Sequence, residues 1–262
     1  RRVLFRSFDE VIPPPLNLQI FLDPKKNNTK WLDEFYSENN RLKHFSYQNE
    51  NKLIFKSKKL TKYLSNDNIF YDGFNIIIAD KKGNIIVYSA ELKKIIYEFN
   101  FYKKKFKKIK KNLNIIINKN IIYVSDNLGY LYALDYNKQK ILWAKNYSIP
   151  FRSNLKIKKN ILFLADQNNI LHLINSVDGE RFKLIPTEDT TLKNSFKNSL
   201  VLDESHLFYL NTYGSLYSIN INRKKISWFI NLNRSIDINS SNLFYSSPIS
   251  IVDDRIIVPS DP

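Results

Sequence analysis

The sequence predicts an all-β fold, a β-propeller of four-stranded antiparallel blades, with about four and a half blades in 262 residues. Three observations predict it. From about residue 67, short Ile/Leu/Val/Tyr runs alternate with small polar turns, which is strand periodicity and not helical periodicity. Four segments then line up: GNIIVYS from Gly83, GYLYALD from Gly129, NILHLIN from Asn169 and GSLYSIN from Gly214, their anchors 46, 40 and 45 residues apart. That spacing is one propeller blade. Finally, an aromatic stands fourteen residues after three of the anchors, at Tyr97, Trp143 and Trp228; in the third unit that register gives Lys183, with Phe182 one place off.

Ahead of each anchor runs a further apolar stretch: NIIIAD from Asn75, NIIYVSD from Asn120, NILFLAD from Asn160 and HLFYLN from His206. Each pair is a hairpin in which Gly or Asn supplies the positive φ of a tight turn. The aromatic-bearing runs KIIYEF, KILWAK and KISWFI are the outer strands, and NLNIII from Asn112, NLKIK from Asn154 and SLVLD from Ser199 the inner ones. SSPISIVDDRIIVPSD opens a fifth unit that reaches Pro262 near the turn of its inner hairpin.

Residues 67–262 therefore form the propeller repeats, and residues 8–66 an irregular N-terminal segment with the first strand or strands. The three prolines of VIPPPLNL forbid regular ladder pairing there. NKLIFKSKKL is a candidate strand, and TKWLDEFYSENNRLKHF a candidate short helix. Residues 1–7, RRVLFRS, resemble translated sequencing-adapter read-through and are set aside.

The repeat GYLYALDYNKQKILWAKN and the lead-in strand YSSPISIVDDRIIVPSD resemble the repeats of the quinoprotein-like (PQQ-like repeat) β-propellers. Within that superfamily the chain resembles the noncatalytic branch typified by BamB. The resemblance implies a fragment of an eight-bladed ring, and a periplasmic lipoprotein scaffold of the outer-membrane β-barrel assembly machinery. The signal segment and anchor would lie outside this fragment. The chain departs from the repeat before the outer strand, where the family has Thr-Gly and this chain has YNKQK, NINRKK and AELK; only SVDGE keeps a Gly. Half a ring exposes an unclosed blade face, so the fragment alone is expected to aggregate or swap.

Composition narrows the chemistry. The chain has no Cys and no Met, hence no disulfide, thiolate metal site or cysteine nucleophile. Its net charge of +16 accompanies a uniform Lys/Asn/Ile/Tyr/Phe bias, which supplies a bland origin for the lysines. The alternative function, a fragment of a PQQ-dependent dehydrogenase, would need a vicinal disulfide, a floor tryptophan and a Ca²⁺ site, of which the disulfide is impossible within this chain. His44, His172 and His206 are scattered, the pairs Glu188-Asp189 and Asp253-Asp254 fall in or beside turns, and the five glycines stand singly. No catalytic, cofactor-binding or metal-binding residue is expected, and no cofactor.

Two sets of residues are candidates for contact. The lead-in segments PFRSN, LKNSF and YSSP should face the central channel or its mouth, which makes Arg152, Asn154, Lys193, Asn194, Ser246 and Ser247 candidate partner-binding residues. Their bland alternative is inter-blade hydrogen bonding. YKKKFKKIKKNL carries a basic run of Lys103, Lys104, Lys105, Lys107, Lys108, Lys110 and Lys111 between an outer strand and the next inner one. There it protects an exposed sheet edge or meets an anionic membrane surface; Phe106 and Ile109 are expected to point inward. The aromatics are used at blade register, so nucleic acid is not an expected partner. The expected partners are proteins, and an intracellular adaptor role is the third reading.

Overall fold

The computed structural model describes residues 13, 17, 19, 24–47, 53, 55–102, 104–189, 196–233, 243, 244, 246 and 248–259, without the side chain of Lys105. Blade 1 comprises β1 (Ser65–Tyr71), β2 (Asn75–Asp80), β3 (Asn84–Ser89) and β4 (Lys94–Asn100), and blade 2 β5 (Leu113–Asn118), β6 (Ile121–Asp126), β7 (Tyr130–Asp135) and β8 (Lys140–Asn146). Blade 3 comprises β9 (Lys156–Lys158), β10 (Ile161–Ala165), β11 (Leu171–Asn175) and β12 (Arg181–Ile185). Blade 4 comprises β13 (Ser199–Leu202), β14 (His206–Leu210), β15 (Ser215–Asn220) and β16 (Lys225–Asn231), and β17 (Ser250–Val252) with β18 (Arg255–Ile257) forms a fifth, two-stranded sheet. Every blade is an antiparallel meander with its strands in sequence order.

The middle strands are buried on both faces, which is why they read as near-continuous apolar runs. Along β6, Ile122 and Val124 pack into the seam with blade 1, while Ile121 and Tyr123 pack into the seam with blade 3. Further seams join blade 3 to blade 4 and blade 4 to β17. Each buried Ile or Leu in these seams contributes about 1.5–3 kcal/mol before entropy, so the blades hold one another.

One side chain closes each turn between second and third strands. Asp80 Oδ1 accepts from the amides of Lys82 (2.9 Å) and Asn84 (3.0 Å). Asp126 Oδ1 accepts from Leu128 (2.9 Å) and Tyr130 (2.8 Å), and Asp166 Oδ1 from Asn168 (2.8 Å) and Ile170 (3.0 Å). Asn211 Oδ1 does the same for Tyr213 and Ser215, both at 3.0 Å. Three residues after this acceptor, Gly83, Gly129, Asn169 and Gly214 take φ of 89°, 87°, 64° and 82°. The aligned anchors are thus the left-handed residues of one repeated turn.

The outer-strand register is equally regular. In every blade the fourth strand skips one residue, so that Tyr97, Trp143, Lys183 and Trp228 pair with Val87, Ala133, Leu173 and Ser218. Lys183 occupies the aromatic position of blade 3, and Phe182 is the bulged residue, exposed beneath Lys224 Nζ at 4.7 Å. The turn before the outer strand keeps a positive φ without glycine at Lys93 (51°), Gln139 (53°) and Lys224 (53°). Gly179 (74°) is different in kind: a Cβ there would stand 2.5 Å from Cε3 of Trp143, whose Nε1 donates to Ser176 O at 2.9 Å. Trp228, at the same register in blade 4, is 44% exposed.

Two expectations for the N-terminal segment are corrected. Leu53 and residues 55–60 form no strand, and residues 29–45 form no helix. Instead, residues 31–41 run across the inner strands in blade order. Trp31 exchanges both backbone hydrogen bonds with Tyr71 of β1 (2.7 and 2.9 Å), and Leu32 O accepts from Ile117 of β5 (2.8 Å). Asp33 Oδ2 and Ser37 O accept from Lys156 Nζ of β9 at 2.7 and 2.8 Å. Glu38 O accepts from Leu202 of β13 (2.9 Å) and Asn39 O from Ile251 of β17 (3.0 Å). Asn40 Nδ2 donates to both Leu200 O (2.9 Å) and Ile249 O (2.8 Å). Inner strands are sheet edges with unpaired ladder groups; the segment gives them its backbone, and positive φ at Tyr36 (76°) and Asn40 (53°) interrupts any helix.

Candidate functional site

The lead-in segments of blades 3 and 4 and of the fifth sheet converge with Phe35 of residues 31–41, the axial segment, on a pocket of about 200 Å³. Asn154 and Ser246 line it together; Arg152 is not part of its lining. Lys193, Asn194 and Ser247 lie outside the described residues. Asn154 is 2% exposed and bound in both directions to Leu200, its Nδ2 donating to the carbonyl at 2.9 Å and its Oδ1 accepting from the amide at 2.8 Å. Its amide is therefore engaged in joining blade 3 to blade 4. Arg152 is half-buried, its backbone bonded to Ala165 O (2.9 Å) and to the Asn198 amide (2.8 Å), and burial lowers the proton affinity of its guanidinium. Ser246 is half-buried at the pocket edge.

The pocket's most distinctive polar atom is one the sequence reading missed. Asn198 is 2% exposed; its Nδ2 donates a long 3.4 Å bond to Asp166 O, and its Oδ1 has no hydrogen-bond partner among the described residues. A buried acceptor left unpaired costs about 1–3 kcal/mol, which a ligand's donor would recover. Beside it, Lys197 Nζ is held by Glu34 Oε1 at 3.2 Å. Phe196, Phe244 and Phe35 supply apolar walls. The volume is below the ~300–1,000 Å³ of small-molecule sites, so it suits a single large side chain. Nothing in the sequence distinguished Asn198 from the other asparagines, because its significance lies in a seam between blades.

The basic run divides in two. Lys104, at the start of a 3-10 turn (Lys104–Phe106), and Lys107, Lys108 and Lys110 are exposed. Lys103 and the side chain of Lys105 lie outside the described residues. Lys111 is corrected: it is 1% exposed, its Nζ bonded to Phe106 O and 4.9 Å above the Tyr102 ring, and burial, aided by Lys82, lowers its proton affinity. Ile109 is also corrected, being 41% exposed, whereas Phe106 is half-buried against Tyr102 and Tyr130. The turn needs one aromatic plug and one buried ammonium to satisfy its carbonyl, which leaves Ile109 outside.

The histidines and acidic pairs have local partners or places in turns. His172, 1% exposed, meets Asp166 Oδ2 through Nε2 at 2.8 Å between the rings of Tyr147 and Phe151. His206 Nδ1 lies 2.8 Å from Ser205 Oγ, and His44 O accepts from the Lys26 amide at 2.9 Å. Asp253 and Asp254 make the turn between β17 and β18. Among the described residues, no three His, Cys, Asp or Glu side chains gather to hold a metal ion.

The blade architecture defines the class of protein, a β-propeller, and the comparisons agree. The structure is similar to BamB from Moraxella catarrhalis, with a TM-score of 0.60 and 13% sequence identity over 77% of this chain and 61% of that one. The match thus spans about three fifths of that protein's length. The computationally designed Ika8 protein matches with a TM-score of 0.49 and 8% identity over 73% of this chain and 67% of that one, too weakly to carry an argument. No protein-family model matches the sequence, and no curated protein matches it.

Proposed function

We propose that this chain is part of a noncatalytic propeller scaffold that holds protein partners, in the manner of BamB, during assembly of outer-membrane β-barrels in the periplasm. In the full-length protein an outer-membrane anchor accompanies that role. The observation that carries the reading is the fold likeness to BamB, joined to repeats that resemble the same branch in sequence. A side-chain-sized pocket between the lead-in segments supports it, with a buried acceptor that has no partner among the described residues. Arg152, Lys193, Asn194, Ser246 and Ser247 form the proposed contact region, with Asn154 fixing blade 3 to blade 4 beneath it, and the exposed lysines 104, 107, 108 and 110 face an anionic membrane surface or partner.

The test is site-specific photo-crosslinking of the full-length protein in cell-envelope extracts, with the photoreactive residue at Arg152 or Ser246. Capture of barrel-assembly components from these positions, and not from Lys138 on the outer turn of blade 2, is expected. Equal capture from all three positions, or none from any, defeats the reading.

A further inference from the structure

Residues 31–41 are bound to the propeller as a peptide ligand would be. Points along their backbone meet the edges of inner strands: Trp31 bridges Tyr71, and Leu32, Glu38 and Asn39 each accept one strand amide, while residues 33–40 fold into two turns between them. Their three carboxylates each meet a different lysine: Asp33 with Lys156 at 2.7 Å, Glu34 with Lys197 at 3.2 Å and Glu38 with Lys158 at 2.9 Å. The lysines come from blade 3 and the lead-in to blade 4, whereas all three carboxylates come from one eleven-residue stretch. Glu34 keeps its Oε2 buried and without a hydrogen-bond partner among the described residues. The segment also leaves space: a cavity of about 390 Å³ lies alongside it, lined by Asp33, Tyr36, Lys156 and Lys158 among others.

We infer that the inner face of the propeller is a binding site for an acidic peptide that takes the same turned course, and that residues 31–41 are its occupant in cis. A partner segment with carboxylates at its first, second and sixth positions takes Lys156, Lys197 and Lys158 in the places of Asp33, Glu34 and Glu38. Lys156, the fully buried one of the three, supplies most of the specificity, because a buried ammonium deprived of its carboxylate is strongly destabilising; the more exposed Lys158 and Lys197 add register. The tethered segment competes at an effective concentration on the order of millimolar. An incoming peptide therefore sees its affinity reduced by the fraction of molecules in which the site is open. This site stands apart from the outer-membrane reading, and purified chain alone tests it.

The experiment titrates a fluorescent peptide, WLDEFYSENNR, against the 262-residue chain and against its Asn40→Ala and Asp33→Asn variants, following anisotropy. Both substitutions change the occupant and no residue of the site, although each also removes a contact that steadies the blades. Tighter binding to the variants by about tenfold or more is expected, together with a comparable loss when the peptide's three carboxylates are replaced by amides. Equal binding to all three proteins, or binding indifferent to the carboxylates, overturns the inference. Should the variants not fold, hydrogen exchange on the unaltered chain decides. Exchange of the Ile117, Leu202 and Ile251 amides ahead of global unfolding supports a segment that leaves its site, and exchange only with global unfolding overturns it.

Discussion

The Lys156 ammonium and the Asp33 carboxylate meet at 2.7 Å with side chains 0% and 8% exposed, although 122 residues of sequence lie between them. Burial dominates both groups, raising the proton affinity of the carboxyl and lowering that of the amine, against the attraction between them. The pair is thus held in place by geometry more than by net energy.

It follows that breaking the pair is costly and replacing it whole is not. Asp33→Ala should destabilise the chain by about 3–5 kcal/mol, while the double change Asp33→Leu with Lys156→Met should be neutral or stabilising. Urea midpoints of the two proteins measure the difference; a double variant as weak as the single one would contradict this account.

At Gly179 the limit is steric. Gly179→Ala drives a methyl into the Trp143 ring and places a side chain at φ 74°, so a loss of about 1–3 kcal/mol is expected. Gln139→Ala, at the corresponding turn of blade 2 with φ 53°, should change stability by no more than about 0.5 kcal/mol. Thermal melts compare them, with tryptophan fluorescence reporting the disturbed ring.

The repeated turn acceptor predicts a hierarchy. Asp126→Asn should be mild, because Asn211 does the same work in blade 4, whereas Asp126→Ala removes the acceptor for Leu128 and Tyr130 and the partner of the Tyr102 hydroxyl at 2.6 Å. A cost of at least about 2 kcal/mol is expected for alanine. If both substitutions cost the same, the hydrogen bonds are not what holds the turn.

Alkaline pH should unfold the chain. Burial raises the proton affinity of Tyr102, Tyr132, Tyr136 and Tyr209, and that of Tyr147 to about 12. A group whose folded pKa is raised contributes stability that is complete below its unfolded value, about 10 for tyrosine, and lost as pH climbs toward the folded value. Lys111 and Lys156, lowered by burial, act oppositely up to about 10.5; the tyrosines outnumber them. Denaturation midpoints measured across about pH 8–11 should therefore fall at the alkaline end, with delayed tyrosinate absorbance.

Much of the blade geometry was legible in the sequence. Spacing located Gly83, Gly129, Asn169 and Gly214, and the fourteen-residue register placed even Lys183 correctly. Both signals are local, set by turn chemistry and strand pairing within one hairpin or one sheet. Lys111 was read as part of a solvated run because its neighbours are solvated, and its burial depends on Tyr102 and on the path of the 3-10 turn. The axial segment was illegible for a stronger reason: WLDEFYSENNR has no strand pattern, and its order comes from edges supplied by five distant parts of the chain. Asn198 and Asn154 differ only in what each meets across a seam.

The axial segment also bears on the order of folding. A propeller of nearest-neighbour blades can form like a repeat array, each unit docking on the last. Here residues 31–41, synthesised before β1, can be seated fully only after β17, some 210 residues later, has taken shape, since Asn39 bonds to Ile251 and Asn40 to Ile249. Contacts of such long sequence separation slow folding. Until then, residues 31–41 remain an unseated acidic stretch, and the inner edges stay open to any strand that arrives first.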